Sequence, residues 1–131
     1  MMLGIDVVTV SRLRGALERS PKLEDRLFSE AERTYCRSMP EPVRHFAGTL
    51  GAKEAVIKAI RAGRLVAWAR RIEISRNAAG VPTVAIDGRD APIAVSISHD
   101  GDTAVAAAMV LPSGDSLVEM NRVASELVAK G

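Results

Sequence analysis

The segment from Val43 to Ala62, VRHFAGTLGAKEAVIKAIRA, limits the folds open to this chain more than any other. Wound at about 100° per residue, Phe46, Leu50, Val56, Ile57 and Ile60 form one broad apolar face of a helix. The opposite side carries Gly48, Gly51, Ala52, Ala55 and Ala59. A solvated face would carry Lys, Glu or Gln, whereas a face of small residues lets another backbone come close. The pattern predicts a helix from about Val43 to Ala62, stopping at Gly63 and covered on both sides.

The remaining elements have to wrap that helix, and 131 residues suffice for one domain with one core. Leu3, Ile5 and Val7 alternate with Gly4, Asp6 and Val8, the period of a strand. A helix should follow from about Ser11, with Leu13, Ala16 and Leu17 on one side and Arg12, Arg14 and Arg19 outside. Ser29 to Glu32, SEAE, is a capping-box pattern that starts another helix. RIEIS and VPTVAID read as strands joined at NAAG, and IAVSISH and TAVAAAMV as a hairpin around DGD. From Ser113 on, Leu117, Met120, Ala124, Leu127 and Val128 recur at helical spacing. The order predicts an α+β fold, with a small antiparallel sheet packed against a long central helix and helices on one face. Residues 1–112 form the domain, and 113–131 are its C-terminal helical extension, expected to cover the domain surface, with contact to a second subunit or to a partner protein as the alternative.

Several function classes are excluded. No apolar run is long enough to cross a bilayer, so no membrane partner is expected. MMLGIDVVTV has no basic leader and reads as a strand, not a signal peptide. Cys36 is the only cysteine, which rules out an internal disulfide and a cysteine-built metal set, and fits a reducing cytoplasm. Residues 1–76 hold fifteen Lys and Arg against nine Asp and Glu, while residues 77–131 hold three against seven. The basic front half points to an anionic partner, either phosphates or an acidic protein. Nucleic acid is not expected, because Phe28, Tyr35, Phe46 and Trp68 are not interleaved with a basic run.

The charges on the long helix need an account. Lys53 falls within the apolar stripe, and Glu54, Lys58 and Arg61 lie along its edge. One reading is a Glu54–Lys58 surface pair worth about 0.3–0.5 kcal/mol. The other is that Glu54 holds a metal while Lys53 and Lys58 hold phosphate. Asp6, inside an apolar strand, needs a partner as well. That partner is an arginine, the start of the first helix, or a hard divalent cation. Magnesium takes one or two carboxylates and fills its other positions with water and substrate phosphate, which Asp6 and Glu54 suit. His99, ending VSISH, is either a solvent-facing turn histidine or a donor to phosphate. The two acids of the following DGD fit no metal motif, and no Walker-type phosphate loop is present.

GIDVVTVSRL, FAGTLGAKEAVIKAI, the W, RIEI, G and PTVAIDG that follow, and VSISH occur in that order over about residues 3 to 111. Together they resemble the holo-acyl-carrier-protein synthases, the small bacterial class of 4′-phosphopantetheinyl transferases. The resemblance implies transfer of the phosphopantetheine arm of coenzyme A to a serine of an apo acyl carrier protein, with magnesium as cofactor. It implies Asp6 and Glu54 as metal ligands and Lys58 on the phosphates. Glu54 becomes the candidate base. Gly63 would let the backbone approach the cofactor, and His99 would lie near its nucleotide end. Arg12, assisted by Arg14 and Arg19, would meet the acidic carrier. A homotrimer with active sites between subunits is implied too.

The chain departs from the family pattern in places. Thr49 stands where an arginine near a coenzyme A phosphate is expected, and Arg61 stands where glycine is common. Two other readings share the site: a magnesium-dependent phosphate-anhydride hydrolase, and a non-catalytic carrier-binding protein.

Overall fold

The computed structural model describes residues 2–112 and 114–130, and the side chains of all of these but 114–117 and 120. The chain starts with strand β1 (Leu3–Thr9) and passes directly into helix α1 (Val10–Arg19). Helices α2 (Lys22–Leu27) and α3 (Glu30–Arg37) lead to α4 (Pro42–Ile60), and a short α5 (Leu65–Trp68) follows. Strands β2 (Ile72–Arg76), β3 (Pro82–Ile86), β4 (Arg89–Asp90), β5 (Ile93–Asp100) and β6 (Thr103–Val110) precede the last helix, α6 (Gly114–Lys130). The short helices α2 and α5 and the two-residue β4 carry too little periodicity to be read in advance.

The strands form two antiparallel three-stranded sheets, ordered β1-β6-β5 and β2-β3-β4, rather than the single sheet expected. The first positions the site. Its inner face carries Gly4, Asp6 and Val8 paired with Ala108, Ala106 and Ala104. This row of small residues is the counterpart of the small face of α4. A Cβ on Gly4 would stand 2.0 Å from the Ala55 carbonyl oxygen. A Cβ on Gly51 would sit 3.5 Å from the side chains of Ala106 and Val8, and one on Gly48 would meet His99 at 2.7 Å. So α4 crosses the sheet in near backbone contact, from His99 on β5 to Gly4 on β1. Leu3, Ile5 and Val7, the large members of the alternation, point the other way and are 67%, 59% and 61% exposed.

The other side of α4 is held by a buried ion pair. Ser29 and Glu32 form the expected capping box at the start of α3. The Glu32 carboxylate also lies 2.6 Å from Lys53 Nζ and accepts from Ile74 N at 2.8 Å. Lys53 Nζ donates further to the carbonyls of Leu27 at 2.8 Å and Ala69 at 2.6 Å. One buried ammonium thus ties α4 to α2, α3 and the end of α5, and its carboxylate partner extends the tie to β2. Burial lowers the Lys53 pKa against the pull of Glu32.

The end of α4 differs from expectation. Arg61, not Gly63, takes the left-handed conformation after the last turn, at φ 55 and ψ 36. The hydrogen bonds Ala62 N to Ile57 O and Arg61 N to Lys58 O are those of a Schellman stop. The described side chains of α6 do not cover the domain: residues 121–130 are all exposed, Leu127 at 66% and Val128 at 81%. The expectation for Leu117 and Met120 lies outside the described side chains.

Candidate active site

Two local devices bring the acid and base groups together. The glycine of Gly4-Ile5-Asp6 removes the side chain that would hold β1 off α4. Two residues on, on the same strand face, Asp6 is set against the last turns of the helix. Glu54 and Lys58 are one helical turn apart on that stretch. Lys58 Nζ donates to Asp6 Oδ1 at 3.0 Å and to the Ile5 carbonyl at 3.0 Å. The i,i+4 pair between Glu54 and Lys58 is absent among the described contacts, because Lys58 turns to the strand instead. Burial raises the Glu54 pKa, the nearby Asp6 charge raises it further, and Lys58 opposes both. Two carboxylates therefore face each other with one lysine between strand and helix.

Asp6 and Glu54 line a cleft of about 440 Å³. Arg12 of α1 stands on the same wall, with Val8, Leu13, Leu27 and Leu50 as apolar lining. Arg14, two residues on, faces another groove beside Leu17, Glu24 and Arg37.

Two other residues of α4 point into the core, away from this cleft. Lys53 is not a cofactor contact: it is 0% exposed and its ammonium is spent on Glu32, Leu27 and Ala69. A lysine in an apolar stripe has no route to solvent, so it finds core acceptors. Thr49 is 1% exposed, with its hydroxyl 3.8 Å from Cys36 Sγ, so a side chain at this position points into the core. The same burial pushes the Cys36 thiol up to about 11. Gly63 lies exposed beyond α4, and a Cβ there would meet only Trp68 Nε1, at 3.9 Å.

His99 is separate from the carboxylates within one chain. Its Nε2 donates to the Arg44 carbonyl at 3.0 Å, and its ring lies 5.7 Å from that of His45. Arg44 and Glu54 are ten residues apart on α4, about 15 Å along the axis. Burial lowers the pKa of both histidines. Tyr35 meets the edge of His45, and Arg76 lies over the Tyr35 ring. This second cluster joins α3, α4, β2 and β5, and only its His99 carried a sequence signal.

Comparison with known proteins shows the family and the fold. Residues 2–110 match the family described as the 4′-phosphopantetheinyl transferase superfamily. Over 117 residues the chain is 37% identical to a holo-[acyl-carrier-protein] synthase of Chlorobaculum parvum, covering 86% of this chain and 99% of that protein. Over 118 residues it is 41% identical to the holo-[acyl-carrier-protein] synthase of Salinispora arenicola, covering 83% and 94%. The crystal structure of a holo-(acyl-carrier-protein) synthase from Bacillus anthracis in complex with CoA (3′,5′-ADP) superposes with a TM-score of 0.73 at 28% identity. It covers 86% of this chain and 96% of that one. The α6 helix lies beyond the residues matched by the family.

Proposed function

This chain belongs to the 4′-phosphopantetheinyl transferase superfamily, and from that premise we propose that it is a holo-acyl-carrier-protein synthase. It transfers the 4′-phosphopantetheine arm of coenzyme A to a serine of an apo acyl carrier protein and releases adenosine 3′,5′-bisphosphate. The observation that carries the reading is that Asp6, Glu54 and Arg12 line one cleft while Lys58 is hydrogen-bonded to Asp6.

The carboxylates fit magnesium. They are hard oxygen donors, and burial first and the neighbouring Asp6 charge second raise the Glu54 pKa. Asp6 and Glu54 would leave the remaining positions of such a cation to water and substrate phosphate. When bound, magnesium neutralises charge on the pyrophosphate.

In the reaction the carrier serine oxygen bonds to the β-phosphorus, and the bond from that phosphorus to the bridging oxygen breaks. Glu54, whose raised pKa suits a base, takes the serine proton directly or through a water. Lys58, 52% exposed at its side chain, turns from Asp6 to the phosphates and stabilises the leaving oxygen. Gly63 leaves its backbone open to the cofactor, and Arg12 meets the acidic carrier surface.

The distance between His99 and Glu54 supports a homotrimer in which one subunit supplies the carboxylates and its neighbour His99. The exposed row Leu3, Ile5 and Val7 is the surface such an assembly would cover. No described helix is long and apolar enough to cross a membrane, and the lone buried Cys36 suits the cytoplasm. The catalytic groups all fall within residues 1–112, and the 113–131 extension carries none of them.

The test is the mass of the carrier after incubation with the protein, coenzyme A and magnesium. A phosphopantetheine-sized gain that needs magnesium and is lost in Glu54→Gln supports the transferase. No gain on fatty-acid, polyketide or peptide carriers overturns it. Breakdown of coenzyme A without transfer then identifies a hydrolase, and carrier binding alone a non-catalytic protein.

A further inference from the structure

The two acids of the β5–β6 turn play no part in the site described above, yet one of them governs a helix. α1 leaves β1 without a linker, and Thr9 makes no side-chain capping hydrogen bond at its start. The first turn of α1 holds no acid either. Two of its free N–H groups, those of Val10 and Ser11, are met by one residue far along the chain. Asp102 Oδ1 accepts from Ser11 N at 2.9 Å, Asp102 Oδ2 accepts from Ser11 Oγ at 2.5 Å, and the Asp102 carbonyl accepts from Val10 N at 2.8 Å. A carboxylate at this end also faces the positive pole of the helix. The next residue is Arg12, on the wall of the cleft.

We propose that Asp102 is a positioning residue for the carrier protein: it caps α1 from the β5–β6 turn and so sets where Arg12 stands against the acidic partner. This rests on the reading of Arg12 as the carrier contact. The turn thereby couples the sheet that holds Asp6 to the helix that receives the carrier. The charge of Asp102 acts in the opposite sense. It lies near Arg14 and repels an acidic partner, so a purely electrostatic role and a capping role predict opposite outcomes.

Steady-state kinetics on apo carrier and coenzyme A separate them, with the full chain and magnesium present. Asp102→Ala should raise the carrier KM about threefold to tenfold, the range of a lost helix cap, and leave kcat and the coenzyme A KM within about twofold. Asp102→Asn should restore the carrier KM, because asparagine caps well without charge. Ser11→Ala, which removes only the Oγ bond, should shift it in the same direction by less. An unchanged or lower carrier KM in Asp102→Ala overturns the inference. So does a loss shared by kcat, both KM values and the melting temperature, which is the signature of a folding role. If Arg12→Ala leaves the carrier KM unchanged, the carrier reading itself fails and takes this inference with it. If Arg12→Ala raises it while Asp102→Ala does not, only the inference fails.

Discussion

Replacing Lys53 with methionine keeps the apolar stem and removes the ammonium. Lys53 is 0% exposed and its partner Glu32 2%, so the change leaves a carboxylate buried without its counter-charge. Breaking a buried pair from one side costs about 3–5 kcal/mol. The Ser29 and Ile74 N–H groups still serve Glu32, which places the expectation at the lower end, about 3 kcal/mol. The carbonyls of Leu27 and Ala69 lose their lysine donor as well. Against a typical stability of about 5–15 kcal/mol, the variant folds but is weak. Trp68, the single tryptophan, sits beside Ala69 and reports the transition in urea at fixed protein concentration. With a slope of about 1–3 kcal/mol per molar, the midpoint should fall by about 1–3 M. Adding Glu32→Met should recover part of the loss, with a coupling of about 2 kcal/mol between the sites. A loss under about 1 kcal/mol, or strictly additive variants, would refute the reasoning. A raised coenzyme A KM at an unchanged midpoint would return Lys53 to the cofactor site.

Glu54→Gln should raise the melting temperature of the metal-free protein at pH 8. The folded carboxyl has a raised pKa, so stability is lost as pH climbs from its ordinary 4.5 through that raised value, and the penalty stays in force above it. Titrating magnesium should then stabilise the wild type more than the variant; equal stabilisation would argue against Glu54 as a ligand. Arg61→Gly should stabilise by about 0.5 kcal/mol, since relief of about 1 kcal/mol at φ 55 is partly offset by a freer unfolded chain. Thermal melts check this, and a lower melting temperature would contradict it. Ile5→Lys, on the exposed sheet face, should break the proposed homotrimer into monomers in light scattering; an intact trimer would place the interface elsewhere, and a monomeric parent protein would overturn the proposed assembly.

Local patterns carried much of this molecule. The two faces of α4 were legible because helical period alone separates Phe46, Val56 and Ile57 from Gly48, Gly51 and Ala55. The capping box at Ser29 and Glu32 needs only a spacing of three residues. Asp6, Glu54 and Lys58 stood out because acids and bases on apolar elements need partners. Long-range pairing was hidden. The acceptors of Lys53 come from Leu27, Glu32 and Ala69, and no local spacing links them. The left-handed Arg61 was hidden for a different reason: glycine, not arginine, is the residue usually read as a helix stop.

By itself, then, the sequence determined which of the longer segments are helix or strand, which face of α4 tolerates close approach, and which charges demand partners. Each follows from the period and the chemistry of neighbouring residues. Only the tertiary structure decided who those partners are. It divided the strands into two sheets, sent Lys58 to Asp6 and Lys53 into the core, parted His99 from the carboxylates, and brought Asp102 to the start of α1. The physical reason is that a charge buried or half-buried by packing takes the nearest acceptor in space, and nearness in space is set by where the chain returns.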